Sequence, residues 1–405
     1  MEPILHEWGS LLLRWAHVIT AMAWIGSSLH FMHLDASLRA RADGQGLEAW
    51  EVHGGGFYQM RKYLVAPGHL PDELTWHKWQ SYATWLTGFF LLVWVYYYQS
   101  SLFLIDPAIL ALTPLAALGI GLGGLAAGWL AYDWLCKSSL GGNLVALALV
   151  GFVLIIAMAA FFQMVFSPRG AFIHTGALMA TIMSGNVFFI IIPNQKKVVA
   201  ALMAGQAPDP ALGKAAKQRS AHNNYLTLPV VFLMLSSHSP LAYSSPYAFV
   251  VVGLILVAGA LIRLFYNQRH AGAGNQWWCW ALAIACIWTA LWISMGSSPG
   301  GRDMLALPLA SLATSPAIAD IGPLPPDQVV EVVNSRCAMC HASAPAWEGI
   351  GIAPKGVRLD TPENIARHAP EIRIQSIITH AMPPNNITGL SLRERGILAH
   401  WLAGR

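Results

Sequence analysis

Cys337-Ala338-Met339-Cys340-His341 is the stretch of this chain with the most specific chemistry. Each thiol of such a pair can add to one vinyl group of a porphyrin, and the adjoining imidazole offers a proximal ligand to the iron. That is the pattern of covalent haem c attachment. A zinc half-site and a redox dithiol are the competing chemistries. The first needs a second C-x-x-C and the second a βαβ setting, and the chain has neither. Met382, in His380-Ala381-Met382-Pro383-Pro384-Asn385, offers a thioether for the opposite face of the iron. A histidine and a methionine together raise a cytochrome's potential. Met339 and His380 are rival sixth ligands, and a buried core methionine is the plain alternative. The expected haem c residues are therefore Cys337, Cys340, His341 and Met382, the last two binding iron.

Two helices are expected to hold that site. Pro325 and Pro326 precede Asp327 as at a helix start, and Val329, Val330, Val332 and Val333 give the helix an apolar side leading to Cys337. Ser391-Leu392-Arg393-Glu394 has capping-box spacing, and Leu398, Trp401 and Leu402 share one face beyond it. Residues 322–405 thereby resemble a class I cytochrome c, an electron carrier.

The rest of the chain is of another class. Of 405 residues 55% are apolar and only 11% charged, too apolar for a soluble protein with one core. Apolar runs of bilayer length fall at Leu11–Leu34, Trp79–Tyr98, Ala108–Leu135, Leu144–Phe166, Ala171–Ile192, Tyr225–Ser237, Tyr247–Tyr266 and Trp278–Met295. The sixth is short and carries Pro229. The expected fold is thus all-α, a polytopic transmembrane bundle of about eight spans (1–298), a Pro/Gly/Ala-rich linker (299–321) and a cytochrome c domain (322–405). The first run reads as a signal anchor, because no basic stretch precedes it.

Loop charge orients the bundle. The odd connections hold Arg39, Arg41, Arg61, Lys62, Lys78, Lys137, Lys196, Lys197, Lys214, Lys217, Arg219 and Arg269, against Arg169 alone in the even ones. The positive-inside rule then places both termini and the haem motif in the periplasm of a bacterial inner membrane. Cys136, Cys279 and Cys286 lie in or near apolar spans at irregular spacing and read as packing residues.

Polar residues within the spans are the candidates for a second site, since ionisable groups there usually face a cavity, cofactor or partner. His17, His174 and His238 fall toward the periplasm, and His53, His77, His222 and His270 toward the cytoplasm. Arg219-Ser220-Ala221-His222-Asn223-Asn224-Tyr225 opens the sixth span, while Asn186 and Pro193-Asn194-Gln195 close the fifth. Amide side chains present both donor and acceptor, which suits a flat heterocycle. Hydrogen bonding between helix ends is the plainer alternative. His53-Gly54-Gly55-Gly56-Phe57-Tyr58 lets a backbone approach a ligand closely, or makes a tight turn.

Arg14-Trp15-Ala16-His17, the His53–Tyr58 stretch, Trp76–Trp85, His222-Asn223-Asn224-Tyr225-Leu226-Thr227-Leu228-Pro229 and the C-terminal haem motif together resemble the bacterial integral-membrane, cytochrome c-linked urate oxidase (urate hydroxylase) family. The resemblance implies oxidation of urate to 5-hydroxyisourate, with electrons leaving through the cytochrome. Its partners would be urate, a downstream respiratory electron acceptor and membrane lipid, with no nucleic acid. Urate yields two electrons and one haem takes one at a time, so a second centre is expected, haem b on His17 and His174. His222, Asn223 and Asn224 are expected to orient the purine, with an inner histidine such as His53 accepting protons. A quinol or other small-molecule dehydrogenase, a transporter fused to a cytochrome, and an electron relay without its own substrate are the alternatives.

Overall fold

The structure is a computed structural model that describes residues 2–41, 46–63, 71, 73–297, 325–348 and 350–403. The expected linker at 299–321 lies outside the described residues. Each apolar run lies largely within a long helix, and the caps explain where several begin. Helix α1 covers Glu2–Ser37, and α2 covers Trp79–Leu92 and continues as a π-turn over Val93–Tyr97. Helices α3 (Pro114–Lys137), α5 (Pro168–Gly185) and α6 (Pro210–Ser236) start with a proline that has no N–H to satisfy. Before it stands Thr113, Ser167 or Asp209, whose side-chain oxygen accepts the N–H of Ala116, Gly170 or Ala211. Asn143 caps α4 (Leu144–Val165) in the same way. Helix α5 runs on through a π-turn at Asn186–Ile191 to α7, Ile192–Met203 in chain order before α6's first residue. Helices α8 (Ala248–His270) and α9 (Trp278–Gly296) complete this unit.

Five of these helices are long and apolar enough to cross a membrane, the α5–α7 run counting as one. Of the other three, α1 and α6 carry Arg14, His17, Arg219, His222, Asn223 and Asn224, which lower their hydropathy, and α2 is only 14 residues before its π-turn. Burial separates centre from rim: 61% of the apolar window of α5–α7 is buried, against 17% for α4. Polar side chains on α5 are therefore inside the bundle. The sixth apolar run extends back to Pro210, so Arg219, counted above with the loop charges, is a buried helical residue at 2% exposure.

The chain is mostly helical, with one departure from the all-α expectation. Strands β1 (Arg39–Ala40), β2 (Leu47–His53) and β3 (Gly56–Lys62) form an antiparallel sheet in the first long connection. Gly54 (φ +59°) and Gly55 (φ +80°) make its two-residue turn, a conformation that excludes most side chains. The glycine run is thus a hairpin turn.

The C-terminal unit is small and helical. Helix α10 (Asp327–Arg336) and the last helix, α11 (Leu392–Ala403), pack their expected faces together, with Val329, Val333, Leu398 and Trp401 fully buried. The capping box forms as its spacing requires: Ser391 N–H donates to Glu394 Oε2 (2.7 Å) and Glu394 N–H to Ser391 Oγ (3.2 Å). The unit meets the bundle through Asn385, whose Nδ2 donates to the Ile105 carbonyl (2.8 Å) and the Ser101 carbonyl (3.4 Å) in the turn between α2 and α3. This defines a docking end of the bundle, where α1, α3 and α5 begin.

Candidate functional site

At the end of the bundle away from the C-terminal unit, helices α3, α5 and α6 bring one polar network together. Arg219 donates to Asp133 Oδ1 (2.7 Å) and Asn186 Oδ1 (3.0 Å), and its guanidinium lies 5.0 Å from the Tyr132 ring centroid. Asn186 Nδ2 donates to Asn223 Oδ1 (2.9 Å) and to the Tyr132 hydroxyl oxygen (3.0 Å). The Tyr132 hydroxyl meets His222 Nδ1 at 2.7 Å. Lys137 Nζ takes the second Asp133 oxygen at 2.6 Å. The π-turn begins at Asn186, where a widened helix directs the amide into the bundle.

The chemistry of this network is set by how its donors are used. Asn223 Nδ2 donates to the Met183 carbonyl (2.9 Å), and Asn224 pairs with Arg263 and Asn267 on α8. Both amides are thus spent on neighbouring helices. With Asn186 donating to the phenol oxygen, the Tyr132 O–H points to His222 Nδ1, so a neutral His222 carries its proton on Nε2. In that state Nε2 is a donor. His222 and Asn223 therefore share one network, Asn224 joins a second one, and His53 stands exposed at the hairpin turn. Sequence reasoning passed over Tyr132 and Asp133. A carboxylate inside an apolar run was the available signal.

His17 and His174 are held by different partners. The His17 ring lies against Gly88, and its Nδ1 meets the Thr84 carbonyl (3.1 Å) and Thr87 Oγ1 (3.2 Å). His174, fully buried, uses Nδ1 on the Gly170 carbonyl (2.8 Å) and Nε2 on the Tyr97 hydroxyl (3.0 Å). Both ring nitrogens of His174 are thus engaged within the protein, while His17 is held against α2.

The C-terminal residues fit a haem c better. His341 Nδ1 donates to the Val357 carbonyl (3.0 Å), which fixes the ring and leaves Nε2 without a hydrogen bond among the described residues. Metal-ligating histidines are commonly held this way. Burial lowers the His341 pKa and favours the neutral ring that a metal requires. Burial also pushes the Cys337 thiol up to about 12 and raises that of Cys340, the reverse of a reactive dithiol. Met382 is held from two sides, its N–H on the Gln375 carbonyl (2.9 Å) and its carbonyl on Arg395 (3.2 Å), whereas Met339 and His380 are exposed.

A family model described as urate oxidase N-terminal matches residues 3–294. The chain belongs to this family. Membership of the urate oxidase N-terminal family carries a urate-related oxidative role, and the match spans the whole helical bundle. No curated protein and no solved structure matches the chain.

Proposed function

We propose that this urate oxidase family member is a bacterial inner-membrane enzyme that oxidises urate to 5-hydroxyisourate and passes the electrons to a haem c on its own C-terminal unit. The carrying observation is the joining, in one chain, of a family match over 3–294 with a C-x-x-C-H unit docked on the same bundle. The balance is urate plus water giving 5-hydroxyisourate, two protons and two electrons. Cys337 and Cys340 would hold the porphyrin, and His341 and Met382 its iron. The bound haem would supply a one-electron acceptor, so each urate would take two successive haem reductions or the second centre expected from the sequence.

The reading places eight spans in the membrane, five of them helices long and apolar enough to cross it, with both termini in the periplasm. The basic residues counted above in the odd connections, apart from the buried Arg219, belong to the end away from the docked unit, as the positive-inside rule requires for a cytoplasmic face. A downstream respiratory carrier would then reoxidise the haem. The deciding experiment is an anaerobic titration of the purified oxidised protein with urate, followed by haem absorbance. Urate as sole donor should reduce the haem. An unreduced haem would leave a relay without its own substrate.

A further inference from the structure

Resting on that reading, we infer that the urate anion binds at the docking end of the bundle, between Arg14 and Arg169 and beside Tyr96. Three observations carry this. The first is distance. Tyr132 stands eighteen residues beyond the start of α3, and Asn186 eighteen beyond the start of α5. Both lie about 27 Å along their helices from the end where the C-terminal unit sits. Electron tunnelling falls exponentially with separation, so oxidation at that far end would need a relay through the bundle. A substrate oxidised at the docking end needs none.

The second is unbalanced charge. Arg14 and Arg169 are half-buried, each within reach of the other's charge and of Tyr96. Among the described residues neither has a carboxylate within the 4.0 Å of an ion pair. Arg169 occupies the first turn of α5, where the helix dipole is also positive. Two cations at a positive helix end in apolar surroundings are costly without an anion. Urate is a planar anion at neutral pH.

The third is unsatisfied polarity. The Tyr96 hydroxyl, in a side chain 5% exposed, faces Arg169 and Ser237 without a full hydrogen bond to either, and Arg169 Nε is buried without an acceptor. The π-turn at Val93–Tyr97 brings Tyr96 into this space. The Arg169 guanidinium also lies 4.8 Å from the Phe103 ring centroid. Phe103 belongs to the turn that receives Asn385, three residues after Met382. The anion site and the proposed iron ligand are thus joined through one short turn.

Two readouts on the full-length holoprotein test this. Dithionite-reduced protein has no acceptor left, so equilibrium dialysis against labelled urate measures binding alone; anaerobic stopped flow measures urate-driven haem reduction in the oxidised form. Arg14→Gln and Arg169→Gln should each raise the urate needed for half-saturation about 10- to 100-fold in both readouts. Arg169→Lys should fall between, and the haem spectrum should stay unchanged in all three. Unchanged urate affinity in the arginine variants, with loss in His222→Gln or Asn223→Ala, would overturn the site while the urate reading stands. A shifted haem midpoint potential with unchanged urate affinity would assign the arginines to the haem's own propionates, and would also overturn it. Tight urate binding to wild type without haem reduction would remove the electron path and leave the anion site.

Discussion

The bundle buries arginine at both ends and treats it in opposite ways. Arg219 at 2% exposure is answered by the Asp133 carboxylate and the Asn186 carbonyl oxygen, with Lys137 balancing the second carboxylate oxygen. Arg14 and Arg169 at the docking end have no carboxylate partner among the described residues. A network whose donors and acceptors are used on one another locks helices in register, because opening it would strand charge in an apolar medium. A charged pair left open is stable only with a partner from outside. Polar residues in apolar spans are therefore sorted less by residue type than by whether their bonds close within the protein.

The sharpest way to break this contrast is to unbalance the closed end. Asp133→Asn leaves Arg219 buried without its counter-charge and should cost about 3–5 kcal/mol, seen as a large fall in the thermal midpoint of detergent-solubilised protein. Arg169→Gln removes a charge that has no carboxylate partner, only the faces of Phe103 and Tyr96, and should lower the midpoint far less than Asp133→Asn. Equal losses in the two variants would erase the distinction. A smaller effect is expected from Ser167→Ala. Ser167 caps Gly170 and donates its hydroxyl to the Phe103 carbonyl (2.9 Å), so its loss should cost about 0.5–2 kcal/mol and loosen the docking turn against α5.

Docking itself can be weakened with less damage. Asn385→Ala removes two hydrogen bonds to the Ser101 and Ile105 carbonyls, worth about 0.5–1.5 kcal/mol each. Urate-driven haem reduction should slow, while reduction by dithionite should not. The smallest effect belongs to the C-terminal unit alone. Burial raises the Glu394 pKa, but the Ser391 N–H and hydroxyl and the Arg336 guanidinium outweigh it and hold the carboxyl below its ordinary 4.5. Its contribution is present above pH 4.5 and is lost as pH falls through the lower folded value. Glu394→Gln should remove at most about 1 kcal/mol and flatten that part of an acid-unfolding curve followed by circular dichroism.

How much of this was legible beforehand depended on the range of the interactions. Ser391 and Glu394 are three residues apart, and their mutual capping follows from local geometry alone. The hairpin is readable in principle, since Trp50, Val52, Phe57 and Tyr58 flank a Gly-Gly turn, but three consecutive glycines suit a close backbone approach equally well. The expectation that Asn223 and Asn224 face a purine rested on their donor and acceptor capacity. Whether that capacity was free depended on Met183, Asn186, Arg263 and Asn267, which lie 37 to 43 residues away.

By itself the amino-acid sequence determined the apolar runs, the charge asymmetry of their connections, the C-x-x-C-H chemistry and the caps that start helices, because each depends on composition or on residues within one turn. Only the tertiary structure decided that both ring nitrogens of His174 are engaged, that the amides of the sixth span are already paired, and that two arginines at the docking end have no carboxylate partner among the described residues. Those outcomes turn on which side chains meet across helices, and hydrogen bonds and charge compensation act only over the few ångströms that packing brings together.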